Sequence, residues 1–130
     1  MVFTTMATLL AVFLTFLFSA RAGSLRGKAG LQPPAVTGDH DYEIASRIHG
    51  NPIEQLVIFL PVLWLGAQAI GDLYGGIAGL VWAVGRIMYS SAMRTDPTKR
   101  TPGMILTLLP TVVMFIAALY GVVVLTCDCF

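Results

Sequence analysis

Residues 42–69 read YEIASRIHGNPIEQLVIFLPVLWLGAQA. As a helix this stretch reaches about 42 Å, more than the roughly 30 Å of a bilayer's hydrocarbon core. Its second half is apolar enough to lie there. Its first half carries Arg47-x-His49-x-Asn51-x-x-Glu54. An ionisable group in hydrocarbon is costly and marks a functional site by default. Arg47, Asn51 and Glu54 stand at i, i+4 and i+7, which puts them on one helix face. That face cannot look at lipid. It must look at other helices, or at a polar ligand held between them.

The rest of the chain agrees with a membrane setting. Of 130 residues, 56% are hydrophobic and 12% charged. A soluble domain of this size needs far more surface charge. The chain is expected to be one small integral membrane domain, residues 1–130, all-α, built as a four-transmembrane-helix bundle. No basic patch interleaved with aromatics points to nucleic acid.

Residues 2–20 are apolar or small throughout and long enough to span. Ala20-Arg21-Ala22 resembles a signal-peptide cleavage site, but a basic n-region is missing and the apolar run exceeds a typical h-region. A retained first helix is the better reading. Residues 21–41 hold Arg21, Arg26, Lys28, four glycines and Pro33-Pro34, a density that predicts an extramembrane loop. The second helix is expected at about 42–69, interrupted in its hydrogen-bond ladder by Pro52 and Pro61. A third is expected at about 72–93. Gly71, Gly75 and Gly79, with Gly76 beside them, predict close helix packing there. A polar loop at 94–102 precedes a fourth helix at about 103–126, with Pro110 in its first half.

All eight Lys and Arg residues fall toward one end of such a bundle: Arg21, Arg26, Lys28, Arg47, Arg86, Arg94, Lys99 and Arg100. The other end has Asp72 and Asp128 and no basic residue. The positive-inside rule then places both termini on the non-cytoplasmic side. A multi-pass protein of a bacterial inner membrane is the expected setting.

Arg26, Arg47, His49, Asn51, Glu54, Arg86, Tyr89 and Arg100 converge on the basic end. Cations outnumber anions, and only Glu54 is deep enough to neutralise a buried arginine. The surplus guanidinium groups ask for an anionic guest, which the planar arginine fork binds with paired hydrogen bonds. Each member also has a plain structural explanation. Glu54 with Arg47 or Arg86 could be a structural ion pair, His49 a bundle hydrogen bond, and Tyr89 an interfacial aromatic. Arg94 and Lys99 read as positive-inside anchors. Cys127 and Cys129 stand at a helix end without further ligands, so no metal is expected.

The segment Arg47-Ile48-His49-Gly50-Asn51-Pro52-Ile53-Glu54 resembles the signature of the MAPEG family, the membrane-associated proteins in eicosanoid and glutathione metabolism. The likeness extends to the helix count, Pro33-Pro34 before the second helix, Arg86-x-x-Tyr89 near the end of the third, and Arg100 beyond it. The resemblance implies a homotrimer with glutathione as co-substrate, lying between adjacent subunits near the cytoplasmic face. Arg26, Arg47, Asn51, Glu54 and Tyr89 would line that cleft, with His49 and Arg86 beside them. Arg100 falls where the leukotriene-synthase branch places the arginine that stabilises the glutathione thiolate. His49 matches the microsomal transferase version of the motif. Met93 and Gln55 stand where the leukotriene-synthase branch has tyrosines, which argues against leukotriene synthesis.

The implied function is a membrane-bound glutathione transferase or peroxidase acting in detoxification. Arg26 and Arg47 suit the tripeptide's carboxylates, Glu54 its ammonium, and Asn51 its amides. Arg100 is the expected catalytic residue, stabilising the thiolate for attack on a lipophilic electrophile or lipid hydroperoxide. A non-enzymatic lipid-binding member of the same family is the first alternative. A small four-helix multidrug exporter is the second. It is disfavoured because Glu54 is flanked by cations and the first helix carries no charge.

Overall fold

The computed structural model describes residues 1–128, and Cys129 lies outside them. Four long helices follow one another: α1 (Val2–Ala29), α2 (His40–Ile70), α3 (Asp72–Thr95) and α4 (Thr101–Asp128), with a short 3-10 turn at Pro97–Lys99. Three of the helical segments, α1, α2 and Pro97–Asp128, are each long and apolar enough to cross a membrane. The shorter α3 packs against all three other long helices. Large apolar side chains such as Phe13, Leu65, Leu80 and Ile116 point outward, as a lipid-facing surface requires.

The expected loop at 21–41 is shorter than the composition suggests, because α1 continues through it to Ala29. Gly23 and Gly27 sit in the extension, where an added Cβ would meet nothing within 4 Å. A helical glycine costs only about 1 kcal/mol against alanine. Arg26 and Lys28, in the last turn, complement the negative helix terminus. The helix stops at Gly30, whose φ of 68° only glycine takes without strain. Gly30 N–H donates to Gly27 O and Leu31 N–H to Arg26 O, both at 3.2 Å, which closes a Schellman cap.

Asp39 starts α2, its carboxylate accepting from Tyr42 N–H at 2.8 Å. Pro52 and Pro61 leave α2 a single continuous helix. Each lacks an N–H, so the carbonyls one turn earlier go unbonded, but the surrounding bundle keeps the path. Gly71 alone joins α2 to α3, at φ 114°. It is therefore the turn and not a member of the packing stripe expected from its spacing.

The other glycines do hold helices together. A Cβ at Gly75 would collide with the Thr4 hydroxyl, and one at Gly79 with the Ala7 Cβ, so α1 and α3 touch backbone to backbone. A Cβ at Gly85 would lie 2.6 Å from Thr107 Oγ1, and one at Gly66 2.6 Å from Met114 O, which brings α4 equally close to α3 and α2. Between these contacts lies a core of Ala7, Ala11, Phe59, Leu63, Ala67, Ala78, Trp82 and Met114. The Phe59 and Trp82 rings stack at 5.2 Å.

At the end away from the basic residues, Asp72 supplies the cap that α1 lacks. Its carboxylate accepts from Phe3 N–H at 3.0 Å, from Thr4 N–H at 2.8 Å and from the Thr4 hydroxyl at 2.7 Å. The Met1 ammonium lies 3.7 Å away. One carboxylate of α3 thus satisfies the orphan donors of a neighbouring helix. With Thr4, Ala7 and Ala11 buried, the first helix is an integral part of the bundle.

Candidate functional site at the basic end

The antiparallel order brings the C-terminal ends of α1 and α3 together with the N-terminal ends of α2 and α4. Every basic residue belongs to this half of the bundle. Ile48, Tyr89 and Met93 pack there with Phe18 and Ile44, so Ile48 lies level with Phe18 near the end of α1's apolar run. Glu54 lies about 9 Å further into the apolar span.

At the centre is Arg86, 1% exposed. Its Nε donates to Thr107 Oγ1 of α4 at 2.9 Å, and its Nη1 donates to Asn51 Oδ1 of α2. The Thr107 hydroxyl in turn donates to Gly103 O at 2.8 Å. The guanidinium also stands 4.8 Å from the Tyr89 ring centroid and 5.8 Å from that of Trp82. One side chain therefore joins α2, α3 and α4 through two neutral acceptors and two aromatic faces.

No carboxylate completes this arrangement. Among the described residues the sole ion pair within 4.0 Å is Met1–Asp72, at the opposite end. Glu54 pairs with neither Arg47 nor Arg86 inside one chain. The expected common face of Arg47, Asn51 and Glu54 divides: Asn51 is buried, while Arg47 and Glu54 are exposed. The reason is azimuthal. Residues seven apart nearly superpose down a helix, whereas the residue four along is offset by about 40°. That offset carries Asn51 over the edge of the buried face toward Arg86.

Arg26 lies at another corner. Its Nη2 donates to Ala35 O at 3.2 Å and to the Tyr42 hydroxyl, and its guanidinium stands 5.0 Å from the Tyr42 ring centroid. It ties the end of α1 to the start of α2. Its Nε, and the Nδ1 of His49, are shielded and have no hydrogen-bond partner among the described residues. Arg100 is exposed at the head of α4, its Nη1 donating to Pro97 O at 3.1 Å. The backbone of Tyr89 lies against Gly103, three residues after Arg100.

One chain therefore gathers Asn51, Arg86 and Tyr89 inside the bundle and leaves Arg47, Glu54 and Arg100 on its outer surface. Arg26 and His49 are half-buried between them. Thr107, Trp82 and Tyr42, which hold Arg86 and Arg26, escaped the sequence reading. Thr107 stands alone in an apolar run four residues after Gly103, and that spacing was the available signal. Two grooves mark the surface. One, of about 180 Å³, is lined by Arg21, Asp41, Arg94 and apolar residues at the basic end. The other, of about 620 Å³, is a mainly apolar furrow between α2 and α4 near Gln68 and Tyr120. Neither contains an expected glutathione-site residue. Among the described residues no group of three or more His, Cys, Asp or Glu could hold a metal.

The MAPEG family model matches residues 4–120. An uncharacterized protein of the cyanobacterium Synechocystis is 36% identical over 115 residues, 88% of this chain and 84% of its own length. Human microsomal glutathione S-transferase 2 is 32% identical across 70% of this chain and 62% of its own length. Bovine leukotriene C4 synthase is 32% identical across 63% and 55% respectively. The chain thus spans less than two thirds of these two mammalian relatives. A match running from the first turn of α1 to Tyr120 in α4 takes in part or all of each of the four helices, and the chain belongs to the MAPEG family.

Proposed function

We propose that the protein is a membrane-bound glutathione transferase or peroxidase whose site forms between neighbouring copies of the chain. The observation that carries this reading is the outer face of α2. Arg47 and Glu54 are exposed there without an ion-pair partner among the described residues, on a helix long and apolar enough to cross a membrane. Charged groups at that depth need a polar partner. A neighbouring subunit supplies the second wall, and an anionic, zwitterionic tripeptide fits the charges left over. The microsomal glutathione transferase named among the relatives supports glutathione as that guest.

In this arrangement Arg47 and Arg26 bind the glutathione carboxylates, and Glu54 binds its ammonium. Asn51 Oδ1 is occupied by Arg86, which leaves the amide N–H groups to donate to glutathione. Arg86 positions Asn51 and Tyr89, and His49 contributes its unpaired ring nitrogen. Arg100 faces the thiol. A free thiol has a pKa of about 8.5, and each unit of lowering requires about 1.4 kcal/mol of extra stabilisation of the thiolate. The sulfur then forms a bond to a lipophilic electrophile as the leaving group departs. The protein's part is positioning and anion stabilisation. The basic end faces the cytoplasm of a bacterial inner membrane, so glutathione enters from water and the electrophile from the bilayer.

Conjugation of 1-chloro-2,4-dinitrobenzene by the purified protein tests this. Turnover is expected in the wild type. Arg100→Ala should lower it by roughly 10- to 100-fold, the loss of one guanidinium's stabilisation of the thiolate, while glutathione affinity changes little. Equal turnover in the variant removes Arg100 from the mechanism. Retention of fatty acid with no glutathione binding at all identifies a non-enzymatic lipid binder instead.

A further inference from the structure

The groove of about 180 Å³ at the basic end takes no part in the site above. Its walls are Arg21 and Leu25 of α1, Asp41, Ile44, Ala45 and Ile48 of α2, and Arg94 of α3. All seven of these residues come from one chain. Two guanidinium groups and one carboxylate share it, yet none of them forms an ion pair within 4.0 Å among the described residues. Arg94 is held back along its own helix, its Nε donating to Ser90 O at 3.1 Å and its Nη2 to Ser90 Oγ at 3.0 Å. Those bonds orient the guanidinium without neutralising it.

The level of the groove in the membrane is set by the helices. Arg21 follows the apolar run 2–20, which reaches about 28 Å, close to the thickness of a hydrocarbon core. Arg94 lies about 33 Å along α3 from Asp72, on the same side. Both arginines therefore stand at the boundary between acyl chains and headgroups. Leu25 and Ile44, both half-buried, give the groove its apolar edge, and the buried Ala45 and Ile48 close its floor. Two arginines against one aspartate leave a charge of +1. A phosphodiester carries one negative charge and several acceptor oxygens, and guanidinium binds it with paired hydrogen bonds.

We propose that this groove binds the phosphodiester headgroup of a membrane lipid, with Arg21 and Arg94 as the phosphate ligands and Leu25 and Ile44 against its glycerol end. Asp41 limits the site to a singly charged anion. A lipid so held seals the corner between α1, α2 and α3.

Native mass spectrometry of the detergent-purified protein, with phosphatidylglycerol as probe, tests the proposal. The wild type should retain phosphatidylglycerol. Arg21→Gln combined with Arg94→Gln should lower its affinity by roughly 10- to 30-fold. Arg21→Lys with Arg94→Lys, which keeps the charge, should recover much of it. Asp41→Asn, which keeps both arginines, should bind at least as tightly as the wild type. Glutathione affinity should be the same in all of them, which separates this site from the one between subunits and shows that the variants fold. Equal retention by the double glutamine variant overturns the proposal, as does weaker binding by Asp41→Asn. Displacement of the lipid by millimolar inorganic phosphate also overturns it, by making free phosphate the natural occupant.

Discussion

Arg86 concentrates the physical chemistry of the basic end. A guanidinium 1% exposed, without a carboxylate, rests on Asn51, Thr107 and the rings of Trp82 and Tyr89. Removing one partner of a buried charge is costly because the other remains desolvated. Asn51→Ala should therefore destabilise the bundle by about 2 kcal/mol, the value of a hydrogen bond to a charged group. Asn51→Asp supplies a full counter-charge and should hold or raise the melting temperature. Thermal unfolding followed by circular dichroism checks both. A melting temperature unchanged in Asn51→Ala would mean that Arg86 does not depend on it. The i, i+4, i+7 spacing identified these polar residues but not their partition between inside and outside. A 40° offset decides that, and it depends on which way α2 is rotated against α3 and α4, which the spacing within α2 does not contain.

At the scale of helices, packing rests on absent side chains. Gly79 meets Ala7 and Gly75 meets Thr4, so α1 and α3 approach as closely as their backbones allow. Gly79→Val should separate them and cost about 2–3 kcal/mol by overpacking. Gly23→Ala, at a glycine with open space around it, should be neutral or slightly stabilising. Urea titration of the two variants measures the contrast, and equal stabilities would remove the close contact from the account. The four helices and most of their limits were legible in the apolar runs. The end of α1 was not. Gly23, Gly27, Arg26 and Lys28 look like loop residues by composition, but capping at Gly30 and the hold of Arg26 on Tyr42 favour nine further helical residues, 21–29. The role of Asp72 was equally hidden, because it caps a helix nearly seventy residues away in sequence.

For the whole molecule, the exposed polar face of α2 is the feature that a single chain leaves unresolved. A self-association that covers Arg47 and Glu54 resolves it, and the proposed homotrimer is the closed arrangement suited to that task. Cysteine introduced at Gly50, on the same outer side of α2, should crosslink to a neighbouring chain within the membrane. Crosslinked species should stop at three chains. A chain that stays monomeric at all concentrations would leave Arg47 and Glu54 against lipid and defeat the intersubunit site. The motif therefore supplied the residues of the proposed site. In the proposed arrangement the wall that faces them belongs to another molecule, which the sequence of one chain does not display.

A glutathione titration of the detergent-purified protein, followed at the ultraviolet absorbance band of the thiolate, tests binding and activation together. Thiolate should rise saturably at neutral pH in the wild type, fail to rise in Arg100→Ala while glutathione still binds, and rise less in Arg47→Ala through poorer binding. A wild-type protein that binds no glutathione, or binds it with no rise in thiolate, would contradict the proposed function.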